Sequence, residues 1–124
     1  MQLQLMSARA SGAAGTDSKR YIGNYGDNPI RVIAIYIEPD TDTALDATDH
    51  VVFDVAKGIG GTSLGSHDSD TTALSTGVPQ EITLSADGDD LELDPEDVLE
   101  CTATNAGAGK AHGVVYRVVA EEIR

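Results

Sequence analysis

Most features that would mark an enzyme, a membrane protein or a disulfide scaffold are missing from this chain of 124 residues. Tryptophan is absent, and one Phe with four Tyr makes aromatics only 4% of the chain. Its core must therefore be assembled from Val, Ile, Leu and Ala. A single cysteine, Cys101, excludes an internal disulfide. It falls within a strand pattern and reads as a buried, inert thiol. No apolar run approaches the ~20 residues of a membrane span. The opening MQLQLMSARA has no signal-peptide core, because Gln2 and Gln4 interrupt it. The expectation is a protein made in the cytoplasm and used without secretion. Amphipathic helical periodicity is also lacking.

Chemistry-bearing motifs are equally scarce. His50, His67 and His112 stand singly, outside any HxH or HExxH spacing, so no metal site is expected. His67 beside Asp68 and Asp70 hints at metal or acid–base work, but such isolated histidines are read as structural or solvent-facing. No serine has a G-x-S-x-G context. The runs GIGG at 58–61 and GAG at 107–109 lack the strand–loop–helix setting of a phosphate loop and read as turns. Asp40, Asp42, Asp46 and Asp49 crowd one loop, and Asp87, Asp89 and Asp90 another. Calcium needs six to eight oxygens, and neither spacing is that of an EF-hand. Both are read as solvated loops. No enzyme and no cofactor are expected.

What is abundant is acid. The formal net charge is −13, with 21 acidic residues against 8 basic ones. A surface of that sign repels phosphate and argues against nucleic acid as a partner. The excess of Asp over Glu and the shortage of Lys suit either high salt, as in a halophilic source, or an ordinary acidic surface. The charge is uneven. Residues 1–31 carry four basic residues against two acidic ones, a net of +2, and all other residues share a net of −15.

Thirteen glycines, with many Asp, Thr and Ser, punctuate the chain into short elements. The clearest stretch is Val78 to Glu122: strand, acidic turn, strand, Gly-rich turn, strand. VLECTAT turns Leu99, Cys101 and Ala103 to one side. VVYRVVAEE does the same with Val114, Tyr116, Val118 and Ala120. In DPED, Pro95 suits the second position of a tight turn. VPQEITLS aligns Val78, Ile82 and Leu84. Upstream, VVFDVAKG alternates Val51, Phe53 and Val55 against Val52, Asp54 and Ala56. IRVIAIYIE at 30–38 is apolar on both faces, with Ile33, Ile35 and Ile37 opposed to Val32, Ala34 and Tyr36. Such a strand is central, with one face on the core and the other on a partner or an overlying arm. Thr71 to Ser75 is a short edge-strand candidate. Residues 1–18 stand apart in composition, an apolar tip followed by small, flexible residues, either a docking arm or a tail. The expectation is all-β: an antiparallel sandwich of about eight short strands over 19–124, with an extended N-terminal arm at 1–18.

The stretch 78–120 resembles a pattern in virion proteins of tailed viruses. In it a strand ending in ITLS leads through a polar turn to a "GDVL" and a Thr-rich strand, then a Gly-rich turn and a Val-rich closing strand. The matching residues are Ile82-Thr83-Leu84-Ser85, Glu96-Asp97-Val98-Leu99, Cys101-Thr102-Ala103-Thr104 and His112-Gly113-Val114-Val115. Glu96 stands where that pattern has Gly. The resemblance covers roughly residues 20–122 and is to jelly-roll-like decoration (cement) proteins of bacteriophage heads. It implies a homo-oligomer, trimer or dimer, that binds the major capsid protein on the outside of the capsid, clamping neighbours with a terminal arm. The candidate partner interface is Leu3, Leu5, Met6 and Arg9 on the arm, with Lys19, Arg20 and Tyr21 on the first strand. Alternatives are another virion component, such as a tail or neck adaptor or fibre base, and a carbohydrate-binding module, against which the shortage of aromatics counts.

Overall fold

The computed structural model describes residues 3–123. Met1 and Gln2, at the tip of the expected arm, lie outside the described residues. Nine strands form among those described: β1 Leu3–Gly12, β2 Ser18–Gly23, β3 Ile30–Pro39, β4 His50–Lys57, β5 Thr62–Asp68, β6 Gln80–Ile82, β7 Glu92–Leu93, β8 Val98–Ala106 and β9 His112–Glu122. One turn of 3-10 helix, Gly88–Leu91, precedes β7. The first sheet runs β1-β9-β3-β6, with β7 also paired to β3, and the second runs β2-β8-β4-β5. Every pairing is antiparallel. If the two-residue β7 is set aside, the orders become first-eighth-third-sixth and second-seventh-fourth-fifth. That is the jelly roll, two sheets joined by Greek-key crossings.

The core lies between the sheets. Its largest fully buried members include Tyr116, Phe53, Ile30, Ile35, Ile37, Leu64 and Leu99. The alternations of β4, β8 and β9 predict their inward residues correctly. Each fully buried aliphatic side chain contributes roughly 1.5–3 kcal/mol. Tyr116 crosses the core from β9, and its hydroxyl donates to the Thr102 carbonyl on β8 at 2.7 Å. A buried hydroxyl is thereby satisfied across the two layers. Cys101 is fully buried, and burial raises its thiol to about 12.

Three expectations need correction. First, residues 3–12 are not an arm beyond the sandwich. They form its edge strand, in ten-residue register with β9 from Leu3↔Glu121 to Gly12↔His112. The register sets Met6 opposite buried Val118 and Ala10 opposite buried Val114, so Met6 and Ala8 pack on the core and Ala10 belongs to it. The leucines point outward. β1 therefore lies beside β3's sheet neighbour and does not overlie β3.

Second, β3 does not hold one alternation. Its register with β9 shifts between Val32 and Ala34. Ile33 is the extra residue of this bulge and is 41% exposed, while Ile30 and Val32 before it and Ile35 and Ile37 after it all face the core. A bulge turns a strand's parity over without breaking the sheet.

Third, Thr71–Ser75 is not a strand. Only Leu74 pairs, in an isolated bridge with Thr43. The strand read over Val78–Ser85 shortens to Gln80–Ile82, and Val78 is exposed.

Two turns rest on specific residues. DPED closes with the Asp97 amide donating to the Asp94 carbonyl at 3.0 Å, and Glu96 at its third position has φ +74°. Asn24 is buried, and its side-chain amide donates to the carbonyls of Asn28 and Leu93, both at 3.0 Å. It ties the β2–β3 turn to the end of β7.

Candidate partner-binding surface

The two sheets have unlike outer faces. On the first, cross-strand registers set Leu5 beside Val119 and Val119 beside Ala34. Leu3 extends this belt at one side and the bulged Ile33 at the other, and Tyr36 and Val115 lie half-buried in the next rows. Leu3 is 57% and Leu5 64% exposed. Scattered exposed leucines are ordinary, but a belt across three adjacent strands is a contact candidate.

The arginines of this face are each held by a carboxylate of the same sheet or its rim. Arg9 Nε donates to Asp40 at 2.6 Å. Arg31 pairs with Glu92, and Arg117 with Glu38. Arg9 in turn holds the Asp40 carboxyl below its usual range. Exposed pairs of this kind add little stability. They border the apolar belt with paired charges, and Glu121 adds a carboxylate across from Leu3.

The second sheet's outer face is polar. Lys19 and Tyr21 of β2 lie beside Thr102 and Glu100 of β8, with Asp54 and Ala56 of β4 beyond. Lys19 Nζ is 3.9 Å from Glu100. Ser63 donates to Asp54 at 2.5 Å.

The sequence-derived interface residues therefore do not form one patch. Leu3, Leu5 and Arg9 lie on the first outer face, and Met6 faces the core. Lys19 and Tyr21 lie on the second outer face. Arg20, across from buried Cys101, is exposed at the sandwich edge. The belt residues Ile33, Ala34 and Val119 are not in that sequence-derived set. Their signal was present, as the second apolar face of both β3 and β9, but choosing which outer residues join up requires the β1–β9 register.

The acidic loops are more structured than a solvated fringe. Asp46 Oδ1 accepts the amides of Thr48 and Asp49 at 2.9 and 3.0 Å, and its Oδ2 pairs with Lys110 at 3.1 Å. These donors pull the Asp46 carboxyl down to about 2. Asp42 accepts from the Thr76 amide and hydroxyl, at 2.6 and 2.8 Å, and is lowered by them. Asp17 is lowered chiefly by the Asn105 amide, 2.8 Å away. Asp49 accepts from the Ala108 amide at 2.8 Å. These aspartates stitch the loops of one end of the sandwich to each other.

The histidines separate by strand parity. His67 faces inward, with Nε2 3.1 Å from the Thr72 carbonyl. His112 is buried against Phe53, its Nε2 2.8 Å from the Ser18 hydroxyl, and burial lowers its pKa. His50, at the start of β4, turns outward toward Asp68. The segments GIGG and GAG are the turns between β4 and β5 and between β8 and β9. A shallow cleft of about 280 Å³ lies among Lys57, Gly58, Asp90, Asp97 and Val98. It brings together no paired nucleophile and base.

No family model matches the sequence, and no curated protein matches it. Among solved structures, that of the infectious bursal disease virus Gt strain aligns over 96% of this chain, with 9% identity and a TM-score of 0.38. The chain spans 31% of that protein's length. What its own strand order defines is a jelly-roll β-sandwich.

Proposed function

We propose that this chain is a structural protein of a virus particle, a decoration (cement) protein that binds the outside of the head shell and bridges neighbouring capsid subunits. The observation that carries this reading is the apolar belt Leu5–Val119–Ala34, with Leu3 and Ile33, on an otherwise strongly acidic sandwich. The chemistry suited to that belt is a neutral, apolar surface on the major capsid protein. Acidic loops would then face solvent and keep the particle dispersed. A homodimer or homotrimer would present several such belts at once. Multivalent contact raises avidity beyond that of any single patch. The Thr-rich β8 and the strand–turn–strand layout of 78–122 accord with the resemblance to tailed-virus decoration proteins.

The contact is assigned to the face of β1 and not to a free arm. Removing residues 1–18 would take away a strand of the fold, so point substitutions are the sound test. Purified protein is sedimented with capsid shells that lack it, and separately with tails. Shell binding by the native chain, reduced tenfold or more by Leu5→Asp, is the expected result. Undiminished shell binding by Leu3→Asp/Leu5→Asp would remove the assignment, and binding to tails alone would favour an adaptor or fibre base.

A further inference from the structure

We propose that His50, Asp68 and Asp70 form a binding site for one divalent cation of the zinc-to-manganese kind, at one end of the second sheet. Three observations converge on it. The first is register. Val52 of β4 pairs with Asp68 of β5, and the Ser69 amide donates to the Val51 carbonyl at 3.1 Å. β5 ends at Asp68, and Asp70 lies in the turn that follows, its amide bonded back to the Asp68 carboxylate. His50 and Asp68 thus share the outer face of the second sheet through strand pairing, and the turn brings Asp70 beside them.

The second observation is convergence. One donor atom from each residue lies within 4.8 Å of the others. The third is the way two of these atoms meet. Nδ1 of His50 is 2.6 Å from Oδ1 of Asp68, yet the approach lacks the angle of a hydrogen bond. That nitrogen is buried and has no other partner among the described residues, although the side chain as a whole remains 16% exposed. The ring nitrogen is therefore not committed to the carboxylate, and both lie close enough to turn toward one shared ion.

The surroundings suit this. The Asp70 amide donates to Asp68 Oδ1 at 2.9 Å, fixing that carboxylate in place. The Asp70 carboxylate has no partner of its own among the described residues, so it is free to ligate. One imidazole nitrogen with two carboxylates selects borderline ions over calcium, which takes oxygen ligands alone. Water would complete the coordination shell. The bound ion would fasten the start of β4 to the end of edge strand β5 and offset part of the net charge of −13. The site lies on the opposite sheet from the proposed contact face and stands or falls independently of it.

The test is calorimetric titration of the full chain, first stripped with chelator, with zinc, manganese and calcium chlorides, paired with thermal unfolding. One zinc ion per chain and a higher melting temperature are expected, with manganese weaker and calcium weaker still. Asp70→Asn, whose carboxylate supports nothing else, should fold like the native chain in chelator and bind zinc about tenfold or more weakly. His50→Gln should lose the preference for zinc over calcium. Absence of saturable zinc binding would overturn the proposal. So would equal zinc affinity in native chain and Asp70→Asn, or calcium binding that matches zinc and survives His50→Gln.

Discussion

The two outer faces of the sandwich are built on the same backbone geometry and carry opposite chemistry. On the first sheet, β1 contributes Leu3 and Leu5, β9 contributes Val119, and β3 contributes Ala34 and the bulged Ile33. On the second, the corresponding outward positions are Lys19, Thr102, Asp54 and Ser66. Burial cannot explain the difference, since each sheet already buries its inner face against the other. A face that keeps aliphatic side chains in water while pairing off its arginines is suited to adhesion. A face of hydroxyls and carboxylates is suited to solvent. The loops joined to the second face add aspartates held by backbone amides.

The largest expected effect breaks the first face outright. A chain starting at Ala13 lacks β1, uncovers the edge of β9 and loses Met6, Ala8 and Ala10 from the core. It should show no cooperative urea transition. A normal transition would mean that β1 is an appendage.

Acid should act next, on the carboxylate-held loops more than on the apolar belt. Asp17, Asp40, Asp42 and Asp46 all titrate lower in the folded chain than in the unfolded one. The native state therefore resists their protonation. Their contribution is complete above the ordinary carboxylate value of about 4 and is lost as pH falls toward about 2, where Asp46 titrates. Burial lowers His112 as well, so a decline should already begin below about pH 6.5. Urea midpoints measured from pH 7 to pH 2 check both steps. Asp46→Ala should flatten the lower one, and an unchanged profile would contradict the loop account.

The faces can then be separated by one charge each. Leu5→Asp and Thr104→Asp, both at exposed positions, should shift stability by only about 0.5 kcal/mol. Leu5→Asp should nonetheless weaken partner binding or self-association, and Thr104→Asp should not. Equal losses would erase the distinction between the faces.

The smallest effect concerns neither face and serves as a control. Glu96 adopts φ +74°, a left-handed conformation that costs a side-chain-bearing residue about 1–2 kcal/mol. Glu96→Gly should raise stability, partly offset by the greater freedom of glycine in the unfolded chain, for a net gain of about 0.5–1 kcal/mol. The urea midpoint should rise while partner binding stays the same.

The sequence made the layered architecture readable where one face is buried and the other polar. Leu99, Cys101 and Ala103 of β8 and Val51, Phe53 and Val55 of β4 declare their inward side by alternation alone. β1 could not be read that way. Its inward residues are Gln4, Met6, Ala8 and Ala10, and its strongest apolar residues face water. The pattern thus pointed to the wrong side, and only pairing with β9, more than 100 residues along the chain, sets it right. The bulge at Ile33 hid β3's parity for a related reason, since local sequence carries no mark of where a register shifts. The cluster at His50 was obscured by adjacency. His67 precedes Asp68 in the chain but faces the core, whereas His50 meets Asp68 only through the β4–β5 ladder. Glu96 is the converse case. Its departure from glycine was visible in the sequence, and the backbone there has the angle that glycine favours.

The central claim is that the first sheet's outer face, completed by β1, is the surface that grips a partner. Hydroxyl-radical footprinting of the protein, free and bound to capsid shells, tests it directly. The account predicts that Leu3, Leu5 and Ile33 lose most of their labelling on binding while Tyr21 on the opposite face keeps its own. Protection of Tyr21 with Leu5 and Ile33 still fully labelled would contradict it.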